Sequence, residues 1–150
     1  MRPNGMKLSR RHRAWFYGTF VVLFLSGVVW MVAHYGARDE ADTHPMETLA
    51  LRAHAASAMV ALILLGTLIP LHIKRGWTAR RNRGHGLMLI AVNGALVVSG
   101  YGLYYAGGEG LRAVARWGHI ALGLALPACV AWHVAAGRAS RFRRAAAHRG

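Results

Sequence analysis

Acidic residues are scarce in this chain: five Asp and Glu stand against nineteen Lys and Arg in 150 residues, for a formal net charge of +14. The five (Asp39, Glu40, Asp42, Glu47 and Glu109) all fall in two short polar links, so the apolar stretches carry no carboxylate and lack the ligand type that a hard metal ion needs. Cysteine is almost absent. Cys129 stands alone in an apolar segment, which excludes an intramolecular disulfide, and without a C-x-x-C-H motif there is no site for thioether attachment of a c-type haem. Its expected part is that of a small buried hydrophobe. No internal repeat, low-complexity linker or stretch long enough for a separate soluble domain is visible.

What the chain has is apolar length. Hydrophobic residues make up 55% of it and come in four blocks, 14–35, 49–73, 87–106 and 114–137. At 1.5 Å per residue each block can cross a hydrocarbon core of roughly 30 Å. The links hold about a dozen residues or fewer, which forces consecutive helices to be antiparallel neighbours. The expected fold is an all-α membrane protein, a four-helix transmembrane bundle forming one domain over 1–150.

Charge placement orients the bundle. Fifteen of the nineteen basic residues lie in three groups of five, at the N-terminus (Arg2 to Arg13), in the second link (Lys74 to Arg83) and at the C-terminus (Arg138 to Arg149), while every acid lies in the first or third link. The excess of Lys and Arg marks the cytoplasmic face, so both termini are expected inside, in the bacterial cytoplasmic membrane. Read this way the basic groups are topology signals first; contact with anionic membrane lipid is secondary, and a nucleic-acid role is set aside. The run 15–33 is too long for the core of a cleaved signal and no A-x-A site follows it, so it is expected to remain as the first helix.

Four histidines lie inside the apolar blocks, where an ionisable ring is costly to place and points by default to function. Helices two and four run in the same direction. His54 is five residues after Leu49 and His119 five after Val114, which puts the two rings at one depth. Eighteen residues from His54 to His72 make five whole turns, and fourteen from His119 to His133 leave a rotation of only about 40°, so each helix presents an upper and a lower imidazole on one face. The lower pair matches less well, since the steps span about 27 Å and about 21 Å. A kink at Pro70 would shorten the first. His85 competes with His72 at the lower level, and His34 competes at the upper one. Two neutral imidazoles from facing helices can clamp the two axial positions of iron in a planar macrocycle, and two such clamps would stack two haems across the membrane.

The remaining residues fit without deciding. Gly27, Gly66, Gly94, Gly100, Gly102, Gly118 and Gly123 remove bulk either for a flat cofactor or for close helix packing. Arg52, Arg112 and Arg116 flank the upper histidines and Lys74, Arg75 and Arg138 the lower ones, as propionate partners or as interfacial anchors. Trp15, Trp30, Trp77, Trp117 and Trp132 suit an aromatic belt. Tyr101, Tyr104 and Tyr105 suit the same belt or a quinone pocket, and Asn93 and Ser99 a bond to a partner helix or a cofactor edge.

On His54, His72, His119 and His133 the chain resembles the four-helix, di-haem b-type cytochromes of bacterial membranes, the group of cytochrome b561-like proteins and of the cytochrome b subunits of hydrogenases and formate dehydrogenases; on the segment Arg-Ala-His-Ala-Ala-Ser-Ala-Met at 52–59 it also resembles small four-helix bacterial membrane proteins. The eighteen-residue step in helix two departs from the fourteen-residue pattern. The resemblance implies two haem b groups and transfer of electrons between the quinone pool and a redox partner, a periplasmic cytochrome or an oxidoreductase subunit. The chain would be an electron-transfer subunit and not a stand-alone enzyme. Two other classes compete: a transporter with histidine-bound metal ions, and a cofactor-free structural or assembly subunit.

Overall fold

The computed structural model describes residues 10–36, 45–68 and 83–147, and these are all-helical apart from one short turn. Helix α1 spans Arg10–Gly36, α2 Pro45–Leu68, α3 Arg83–Tyr105 and α4 Glu109–Ala147. All four are long and apolar enough to cross a membrane, over Arg13–Gly36, Pro45–Leu68, Arg83–Tyr105 and Glu109–Ser140. Their side chains are deployed as lipid-facing helices require. Among the described residues the buried set is small, Ser26, Ala50, Ser57, Ala61, Ala106 and Leu126, while large apolar groups such as Val98, Ile63 and Met59 are about two-thirds or more exposed. Inside a bilayer burying apolar surface between helices gains little, so small residues that let backbones approach take the contacts.

The chain forms two compact units, divided between Ile69 and Pro70, and each contains one helical hairpin. In the first, α1 packs on α2. Leu23 and Gly27 lie against His54, and His34 lies against Glu47. Moving up α1 therefore moves down α2, which fixes an antiparallel register. Pro45 and Glu47 open α2 with a preset φ and a negative charge near the positive end of the helix dipole.

In the second unit α3 packs on α4 in the same sense. His85 meets Trp132, Leu96 and Ser99 meet His119, and Gly102 meets Ala115. The turn between them is only 106–108, with Gly107 and Gly108 in bends. Ala106 donates its N–H to the Gly102 carbonyl at 2.9 Å, and the Arg112 guanidinium donates to the Ala106 carbonyl at 3.3 Å. Arg112 thus satisfies a helix end.

The elements begin a few residues before the expected blocks. The largest difference is at the end of α4, which runs to Ala147 instead of stopping at Gly137. Apolar content ends near Gly137, but the Ala- and Arg-rich sequence that follows has high helix propensity and continues the helix beyond the apolar span. Pro127 lies inside α4 and removes one backbone bond, the one its N–H would have made to the carbonyl of Gly123. A residue without a side chain at that position eases the clash of the proline ring with the preceding turn.

Candidate functional site

His54 lies nine residues after the start of α2 and His119 ten after the start of α4. At 1.5 Å per residue both rings lie about 14 or 15 Å from the link end of their helices. Each is half-buried, and each is gripped by the other helix of its own hairpin.

In the first hairpin the ring Nδ1 of His54 lies 2.9 Å from the Leu23 carbonyl and 3.4 Å from Ser26 Oγ. The Ser26 hydroxyl itself donates to that same carbonyl at 3.0 Å. In the second hairpin His119 Nδ1 lies 3.1 Å from the Leu96 carbonyl and 3.0 Å from Ser99 Oγ, and the Ser99 hydroxyl donates to the Leu96 carbonyl at 3.2 Å. A carbonyl only accepts, so Nδ1 must be the protonated nitrogen in both rings, and the lone pair of the neutral imidazole resides on Nε2. This is the arrangement in which a histidine serves as a metal ligand through Nε2, with a second group fixing its tautomer.

Glycine completes each grip. A Cβ on Gly27 would lie 3.0 Å from Cε1 and 3.1 Å from Nδ1 of His54, and one on Gly100 would lie 3.4 Å from Cε1 of His119. These two glycines make room for the imidazoles. A Cβ on Gly66, Gly94, Gly118 or Gly123 would meet nothing within 4 Å, while one on Gly102 would meet Ala115 Cβ at 3.2 Å, the mark of close helix packing.

Leu-x-x-Ser-Gly at 23–27 and again at 96–100, each facing one histidine, is an internal repeat, which corrects the reading that the chain has none. The repeat uses two offsets, 73 residues from Ser26 to Ser99 and 65 from His54 to His119. Of the difference of eight, five come from the longer first link, 37–44 against 106–108, and the rest from the longer run of α1 beyond its serine.

Other candidate residues separate clearly. His34 pairs with Glu47, Nδ1 to Oε1 at 2.7 Å, and stacks on Trp30 with ring centroids 4.7 Å apart. It stands seven residues from Gly27, about 10 Å from the level of His54, and is tied to the link end of the hairpin. In the second unit the register that pairs Ser99 with His119 brings His85 to the level of His133, and the His85 ring meets Trp132 edge-on at 4.9 Å. His133 has a buried Nδ1. His72 lies outside the described residues, as do Pro70, Lys74, Arg75 and Trp77. Arg52 is exposed two residues before His54, and Arg116 is half-buried three residues before His119.

Ser99 binds a partner helix, one of its two expected uses, whereas Asn93 turns back on the Leu89 carbonyl of its own helix at 2.8 Å. Ser26 is the residue that sequence reasoning missed; its recurrence with glycine, as Ser-Gly in the middle of two apolar helices, was the available signal. Tyr101 and Tyr105 stack on each other at 4.4 Å on an exposed face. Among the described residues no three His, Cys, Asp or Glu side chains gather where they could hold a metal ion. No protein-family model, curated protein or solved structure matches the chain.

Proposed function

We propose that this chain is a b-type cytochrome of the bacterial cytoplasmic membrane, with its four helices in one bundle and both termini cytoplasmic, passing electrons between the quinone pool and a periplasmic cytochrome or an oxidoreductase subunit. His54 and His119 would hold one haem b as its two axial ligands. His133 would hold a second, with His72 or His85 opposite it. The observation that carries this reading is the pair of matched Nδ1 contacts, one in each hairpin, which put the lone pair of each of the two imidazoles on Nε2.

The donor set suits haem better than a free metal ion. Paired neutral imidazoles fill the two axial positions of iron already held in a macrocycle, while a lone divalent ion asks for three or more protein ligands at one point. When bound between two histidines, haem b supplies one-electron redox chemistry at an iron with no open position for dioxygen. The protein's own contribution is to fix tautomer and ring position from a neighbouring helix, and to offer cations at the helix ends. Arg52 and Arg116, each within a turn of its histidine, can meet propionates there. For the lower group, His85 gains support from its register with His133.

Expression with ample haem followed by purification tests the reading. The expected product is red, with a reduced-minus-oxidised spectrum of low-spin haem b and about two haems per chain, as two bis-histidine sites require. A colourless protein overturns it.

A further inference from the structure

We infer that Ser26 and Ser99 are positioning residues which set the orientation and donor strength of His54 and His119. This rests on the haem reading above for its effect on iron, though not for its effect on the rings. Each Nδ1–H faces two acceptors, a main-chain carbonyl and a serine oxygen three residues on. Each serine gives its own proton to that same carbonyl, at 3.0 Å for Ser26 and 3.2 Å for Ser99, so its oxygen lone pairs are the part left to receive the ring N–H. One acceptor alone would let the ring swing about its bond. A second acceptor beside the first, 3.0 Å from it in α1 and 3.2 Å in α3, narrows that swing.

The hydroxyls therefore do more than satisfy themselves within their helix. A Ser hydroxyl in a transmembrane helix is content with the carbonyl three or four residues back, as Ser57 is with those of Ala53 and His54. Ser26 and Ser99 make that bond and, with the same oxygen, reach a ring on another helix. Accepting from Nδ1–H makes Nε2 more electron-rich, and a more basic axial imidazole favours ferric over ferrous iron. The effect is greater at Ser99, 3.0 Å from its histidine, than at Ser26, 3.4 Å away.

Two measurements on the full-length protein decide the matter. The first is ¹⁵N NMR of labelled histidine in the dithionite-reduced, diamagnetic protein, which reports which ring nitrogen holds the proton. His54 and His119 should both be protonated at Nδ1, and Ser99→Ala should loosen that state at His119. The second is the midpoint potential. Ser99→Ala should raise it, Ser26→Ala should raise it less, and Ser99→Thr, which restores a hydroxyl, should return it toward wild type. Ser57→Ala, a buried serine that does not face a ring, should leave both readings where they were.

Unchanged potentials in the two alanine variants of a haem-loaded protein overturn the inference and leave the haem assignment standing. Protonation at Nε2 in wild type overturns it as well. If the protein holds no haem, the functional reading fails, and the proton position in wild type and Ser99→Ala still decides whether the serine governs the ring.

Discussion

The hairpin of α1 and α2 and the hairpin of α3 and α4 hold a histidine in the same way and close their ends in different ways. In the middle of each, a leucine carbonyl, a serine and a glycine on one helix receive an imidazole from the other. At the link end, one hairpin ties His34 to Glu47 across an eight-residue connection, and the other turns within three residues under Arg112. The grip is thus independent of the loop. It depends only on antiparallel register, and register is set by where small residues let the helices touch.

The grips also differ in tightness. The first places its ring against Gly27 with almost no room and its serine 3.4 Å away; the second leaves ordinary space at Gly100 and brings its serine to 3.0 Å. Steric confinement leads in one and hydrogen bonding in the other. Interhelical hydrogen bonds in membranes average about 0.6 kcal/mol, so these contacts orient the rings more than they hold the hairpins together.

The largest expected effect comes from removing the rings. On the proposed assignment of both rings to one haem, His54→Ala and His119→Ala should each lower haem content from about two per chain to about one, and the double variant should go no lower. A double variant that loses both haems would break the equivalence of the hairpins. Pigment extraction from purified variants gives the counts.

Next in size is the lower level. His133→Ala should remove the other haem, and comparison of His72→Ala with His85→Ala identifies its partner by the same extraction. Equal, partial losses in the latter two would contradict a single opposing ligand.

A smaller effect is expected from filling the glycines. Gly27→Ala should displace the His54 ring, lowering stability by about 1 to 3 kcal/mol as overpacking does, with a shift in the haem spectrum. Gly100→Ala should be milder, since its Cβ meets the ring at 3.4 Å instead of 3.0 Å. Thermal unfolding followed at the haem absorbance compares the two, and the reverse order would show that confinement does not lead in the first hairpin.

The smallest concerns the closure. Glu47→Gln replaces the carboxylate that His34 Nδ1 contacts at 2.7 Å, and with the His34 side chain 39% exposed the loss should be at most about 1 kcal/mol. Haem content should not change. A loss of pigment would mean that the two ends of the hairpin are coupled.

Much of this was legible beforehand. Four apolar blocks give four helices, and similar distances from the block edges put His54 and His119 at similar places along their own helices. Ser99 could be named as a partner for a neighbouring helix. The function of Gly27 and Gly100 could not be, because a glycine between apolar residues reads the same whether a cofactor, a helix or a ring lies over it. The repeat escaped for a geometric reason. Its four residues are split over two helices, and unequal links shift the halves by different amounts, so no one offset aligns them. The reach of α4 past Gly137 was hidden because the apolar pattern ends where the propensity for helix does not.

Pro127 gives the last point its mechanical side. It sits eight residues past His119 and six before His133, where α4 lacks one rung of its ladder. The rod that carries both rings is continuous, and the missing rung makes this the place where it bends most readily between them.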